Sequence, residues 1–134
     1  MRERNPVVVM EVPVILDAVE GPAFFNEVSP LLENDRPNMV FDCSQLRHVD
    51  SAGIEILLQC MEEAMKRDGD VKLAAVSPAC EVILELMRVD RVFEMFATTQ
   101  EAVRSFSAPA VVEISATLPW YAGGYGLADV KVAS

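Results

Sequence analysis

Strand-like and helix-like segments alternate along this 134-residue chain, which places it among α/β sandwiches with about four helices packed on one mixed β-sheet. β-Branched runs occur at 7–16, 38–43 and 71–76, apolar residues at helical spacing follow each of them, and turn or cap residues separate the two kinds of segment. Helical crossovers between successive strands imply parallel pairs in the sheet.

Val7 to Leu16 reads as a strand covered on both faces, interrupted at Pro13, where pairing should bulge, lie at an edge or end. Gly21 and Pro22 open a helix whose apolar residues are Phe24, Phe25, Val28, Leu31 and Leu32; Pro30 inside it predicts a kink or two abutting short helices. Asn34 to Pro37 is a turn, and Asn38 to Cys43 a central strand. The longest helix follows residue 50, with Ile54, Leu57, Leu58, Met61 and Met65 on its inner face, and ends near Asp68-Gly69-Asp70. Val71 to Val76 forms the third strand. Ser77-Pro78 caps a helix whose inner face is expected to be Ala79, Val82, Ile83, Leu86 and Met87. A short run from Val92 to Phe96 precedes a last helix to about Phe106, which Thr98 and Glu101 open with capping-box spacing.

The length suits one domain with an appendage. A formal net charge of −10 repels nucleic-acid backbones and anionic membrane surfaces, so a basic or mixed-charge protein is the expected partner. Cys43, Cys60 and Cys80 form no CxxC pair and lie in apolar segments, as buried free thiols in a reducing compartment would. No stretch has the length of a membrane span, and Met-Arg-Glu-Arg-Asn-Pro lacks a signal-like apolar core; the expectation is a soluble, cytoplasmic protein. No metal-ligand spacing or glycine-rich phosphate loop is present, so no cofactor and no enzymatic activity are expected. His48 has no evident nucleophile or orienting acid and reads as a surface or capping residue. The Met and Phe residues at 87, 93, 95 and 96 read as core, and Trp120-Tyr121 as a docking patch or a patch packed on the domain itself.

Chemistry concentrates at Val49-Asp50-Ser51-Ala52-Gly53-Ile54, an Asp-Ser-x-Gly turn joining an apolar run to the longest helix. A serine there sits among free backbone N–H groups of a helix start, where a phosphate or a partner's group can be received. Asp and Ser in that position also read as an ordinary N-cap. Gly53 leaves room for another backbone to approach.

The motif Asp50-Ser51-Ala52-Gly53-Ile54, with Leu16-Asp17 before the first helix, Gly69 before the third strand, and Ser77-Pro78 leading into Leu84-Glu85-Leu86-Met87, resembles the STAS family over about residues 7–106. That family includes anti-sigma factor antagonists and similar domains of transporters and stressosome proteins. The resemblance implies a STAS-like α/β sandwich and a protein-binding switch in which Ser51 is phosphorylated by a partner that is both anti-sigma factor and serine kinase, of the histidine-kinase-like ATPase type. It further implies partner contacts through Asp50, Ser51, Ala52, Gly53, Ile54 and Asp17. A STAS subunit clipped onto the ATPase of an ABC-type lipid transporter and a ligand-sensing scaffold are the alternatives, and a homodimer is among the assemblies open to the chain. The family has a strand ahead of the one matching Val7 to Leu16, for which only Met1 to Pro6 are available. In the extension 107–134, Val111 to Ser115 has strand composition and is expected to pair in its place, on its own chain or a neighbour's, with a flexible tail around Gly123 to Gly126.

Overall fold

The computed structural model describes residues 6–106 and the backbone of 111–114. Five strands form one sheet, β1 (Val7–Glu11), β3 (Asn38–Asp42), β5 (Asp70–Ala74), β6 (Met95–Phe96) and β7 (Val111–Ile114), in the order β6-β5-β3-β1-β7. Every pairing among them is parallel; β1 registers Val7 with Asn38 on one side and with Val111 on the other. The edge beside β1 is thus occupied by a strand from the far end of the same chain. Ser115, Trp120-Tyr121 and Gly123 to Gly126 lie outside the described residues.

Side chains alternate across this sheet with the period of two that strands impose. Met10, Met39, Phe41, Val71 and Leu73 face a layer made by α1 (Glu20–Leu32), α2 (Ser51–Met65) and α3 (Pro78–Leu86), all within one buried cluster. Phe24 of α1 meets Phe41 edge-to-face with ring centroids 5.3 Å apart. Val7, Val9, Val40 and Ala74 face the other way, towards Ala102, Val103 and Phe106 at α4 (Thr99–Ser105). Lys72 shares that second face and is 6% exposed. Its ammonium lies 2.7 Å from Ser105 Oγ, 3.1 Å from Glu94 Oε1 and 4.2 Å from the Phe106 ring centroid.

The long first strand expected from 7 to 16 is two strands. β1 stops at Glu11, and after Pro13 the short β2 (Ile15–Leu16) pairs with β4 (His48–Val49) in a separate two-stranded sheet. α1 is one helix despite Pro30, which falls in its last turn on the exposed side, so the missing N–H costs one bond, to a carbonyl open to water. In α2, Cys60 and Ala64 join Ile54, Leu57 and Met61 inside, whereas Met65 is exposed. The expected inner face of α3 is overturned: Ala79, Val82, Leu86 and Met87 are exposed, Cys80 and Leu84 are buried, and Ile83 is half-buried. α3 carries more apolar residues than one face holds, so spacing leaves its rotation undetermined. Ser77 Oγ accepting from Cys80 N and the Cys80 thiol reaching Leu46 O set the phase. Of the expected Met/Phe core at the end of the chain, Phe93 is buried, Met95 and Phe96 are half-buried and Met87 is outside.

Gly53 sits where α2 crosses β2. A Cβ there would lie 2.0 Å from the Leu16 carbonyl oxygen and 3.0 Å from Val49 Cγ2, so the approaching backbone is the chain's own. Gly21 of α1 has a similar relation to Ile56 of α2, where a Cβ would come within 2.7 Å of a side-chain carbon. Because the Leu16 carbonyl is backbone and cannot rotate away, Gly53→Ala is expected to destabilise the fold by about 2–3 kcal/mol in urea unfolding, with Gly21→Ala costing less. All three thiols are buried, and burial pushes those of Cys43 and Cys60 up to about 12. A thiol reagent at pH 8 should therefore modify none of the three in the native protein and all three in denaturant.

Candidate functional site

Two helix starts meet at the small β2–β4 sheet. Parallel pairing of Leu16 with Val49 sets the residues that follow, Asp17 and Asp50, at neighbouring strand ends, and each carboxylate accepts from a backbone N–H at the start of the helix after it. Asp50 takes an extended backbone (φ −119°, ψ −172°); its Oδ1 accepts from Gly53 N at 3.0 Å and its carbonyl accepts from Ile54 N at 2.9 Å. This is N-cap geometry, which leaves the Ser51 and Ala52 N–H groups at the helix start without an intrahelical acceptor. Asp50 N in turn donates to Leu16 O at 3.4 Å.

Ser51 is the first residue of α2 and is exposed; its hydroxyl makes no hydrogen bond to another described residue. The side chain that carries the cap is therefore Asp50, and the serine next to it is left over for other chemistry. Ala52 is half-buried behind it. Gly53 and Ile54, grouped with the partner-facing residues on sequence grounds, turn inward: Gly53 is buried against Leu16 and Ile54 is 1% exposed in the core. They shape the turn from beneath, and the side chains left at its surface are those of Asp50, half-buried, and Ser51, exposed.

Asp17 is half-buried, and its Oδ1 accepts from Glu20 N at 2.8 Å and Val19 N at 3.0 Å, while its carbonyl accepts from Gly21 N. The Glu20 N–H is the main reason its carboxyl stays below the usual carboxylate range, opposed by burial and assisted by the Val19 N–H and the charge of His48. Its first task is to shape the entry to α1, and it adds a fixed negative charge beside the turn. His48 is exposed on β4, opposite Ile15.

The rim also carries residues that sequence patterning did not assign to the site. Val14, Ile15 and Val19 are exposed, Val19 to 76%, around the strand that supports the turn. The Val14 carbonyl also holds the entry to β4, accepting from Arg47 N and His48 N. The signal in the sequence was Pro13, which removes Val14 and Ile15 from the covered part of the main sheet. The turn thus presents one unengaged hydroxyl next to the capping Asp50, with Asp17 at the start of the neighbouring helix and exposed apolar side chains on the supporting strand, and no helix among the described residues is long and apolar enough to cross a membrane.

No curated protein matches the sequence. Among solved structures, the fold is similar to an anti-sigma-factor antagonist (STAS) domain protein from Planctomyces limnophilus, with a TM-score of 0.65, 22% identity, and coverage of 75% of this chain and 90% of that one. The unphosphorylated form of the anti-sigma factor antagonist SpoIIAA gives 0.57 at 17% identity, covering 80% of this chain and 94% of that one. The STAS domain of a SulP transporter from Vibrio cholerae gives 0.61 at 10% identity, covering 79% and 84%. Identities this low speak for a shared fold, on which antagonists and transporter domains alike are built. The STAS domain family model matches residues 1–102, a span that contains both helix starts and Ser51, and the chain belongs to that family.

Proposed function

We propose that this protein is an anti-sigma factor antagonist, a non-enzymatic protein-binding switch controlled by phosphorylation of Ser51. The observation that carries the reading is the exposed, unengaged Ser51 hydroxyl at the start of α2, next to an aspartate that already performs the capping. The partner is an anti-sigma factor that is also a serine kinase of the histidine-kinase-like ATPase type, working in the cytoplasm. Unphosphorylated, the turn and its apolar rim dock on that partner and release the sigma factor. In the kinase step Ser51 Oγ attacks the γ-phosphorus of ATP, the Oγ–P bond forms as the bond to ADP breaks, and the hydroxyl proton passes to a base of the kinase.

The new group adds roughly −1.5 to −2 charges beside Asp50 and Asp17. Within the domain the helix start offsets part of that repulsion, by about 0.3–1 kcal/mol. At a packed interface nothing comparable does, because a hydrated dianion must be stripped of water against a surface that fitted a hydroxyl. A loss of about 2.8 kcal/mol weakens binding a hundredfold, which is sufficient for a switch.

Incubation with a cognate kinase and ATP is expected to add one phosphate per chain, read by intact mass, and Ser51→Ala to add none. Ser51→Glu should keep the circular dichroism and melting temperature of the wild type while lowering partner affinity about a hundredfold in calorimetry. A wild-type protein that no kinase encoded beside it modifies would refute this reading. Co-purification with a transporter ATPase and permease would move the assignment to the transporter branch of the family.

A further inference from the structure

β7 closes the side of β1 that faces away from β3. Val111–Ile114 lies beyond the residues the family model covers, yet it pairs in parallel with β1, from Val7 with Val111 to Met10 with Ile114. On its other side β1 pairs with β3 residue for residue from Val7 to Glu11, so it carries no bulge. Between Val7 and Met10 the strand reads Val-Val-Val-Met, without a charge or a proline. Sheets commonly blunt an outer strand with a lysine, a proline or a bulge, because a flat apolar edge with unpaired N–H and C=O groups is a template for another chain. β1 has none of these devices and has β7 instead.

We propose that β7 is an autoinhibitory strand, filling a β1 edge that, left open, pairs with β1 of a second copy, antiparallel about a two-fold axis between Val8 and Val9. In that register Val7 lies opposite Met10 and Val8 opposite Val9, so apolar residues meet. Glu11 of each copy falls opposite Pro6 of the other, and no like charges are opposed. The edge is therefore complementary to itself, as an isologous contact requires. The net charge of −10 opposes association over the molecule as a whole, whereas this edge is uncharged. A strand tethered to the same chain competes with a second copy at an effective concentration on the order of millimolar. It thereby holds the edge closed at ordinary protein concentrations. The inference stands on the main sheet alone and is independent of the role of Ser51.

Val112→Pro with Glu113→Pro, made in the full chain, removes two consecutive donors from β7. One of them faces β1, because successive N–H groups of a strand point to opposite sides. The variant should keep the helical circular dichroism of the wild type. At about 10 μM its amides at Val8 to Met10 are expected to exchange at least about tenfold faster than those of the wild type. By about 1 mM they should slow again, as the sedimentation mass rises from 14.7 kDa towards twice that value. In the wild type those amides should be slow at both concentrations. Glycine at the same two positions, which weakens the strand but keeps its donors, should act in the same direction with smaller amplitude. Amides of β1 that stay slow in both dilute variants would show that β7 is not what covers the edge. A mass that stays at 14.7 kDa up to about 1 mM, or association that leaves those amides fast, would show that no second copy takes it, and each of these results overturns the proposal.

Discussion

The Leu16 carbonyl, pressed against α2 at a position where no side chain fits, fixes the geometry on which the rest of this molecule relies. With glycine at 53 the helix start lies directly on β2, so the turn between Val49 and Ser51 has one place to be. Two parallel residue pairs then align Asp17 with Asp50, and two carboxylates receive backbone N–H groups at the starts of two helices. A slip of one residue in so short a pairing would exchange His48 with Val49, placing an imidazole in the core and an apolar side chain in water. The close packing at Gly53 guards against that slip.

Division of labour between neighbours follows from the same geometry. In many helices a serine at the start is consumed by capping; here aspartate precedes it and accepts the Gly53 N–H, and the serine is displaced outward by one position. Helix starts also tolerate anions, because their N–H groups and dipole favour negative charge. On the function proposed for Ser51, the turn is a place where charge is added to a STAS domain with little disturbance to its own fold, while a surface resting on it is disturbed.

Much of this was legible in the residues. Alternating strand and helix patterns give the layers, and the caps at Asp50, Ser77 and Thr98 each accept the N–H three residues on, the spacing an N-cap requires. The position of Ser51 at a helix start could be read from Asp-Ser-x-Gly alone. The direction of packing could not. Gly53 was legible as a close approach, but a sequence does not say whether the approaching backbone belongs to a partner or to Leu16. α3 was misread for a related reason: Ala79, Val82, Leu86 and Met87 have helical spacing, and only the anchoring of Cys80 against Leu46 shows that they point away from the core. Periodicity identifies an amphipathic helix, but a helix with two apolar sides has no unique orientation until its neighbours are known.

Lys72 gives the two faces of the central sheet different characters. On the side of α1 and α2 the contacts are hydrocarbon, nondirectional and tolerant of small shifts among side chains of similar size. On the α4 side a single ammonium must find a hydroxyl, a carboxylate and an aromatic face at once, supplied by Glu94 ahead of α4 and by the adjacent Ser105 and Phe106 at its end. Grease can be rearranged, whereas a keyed joint accepts one seating. The last helix is consequently held in a single orientation on the sheet, and the chain that leaves it for the strand beside β1 departs from a fixed point.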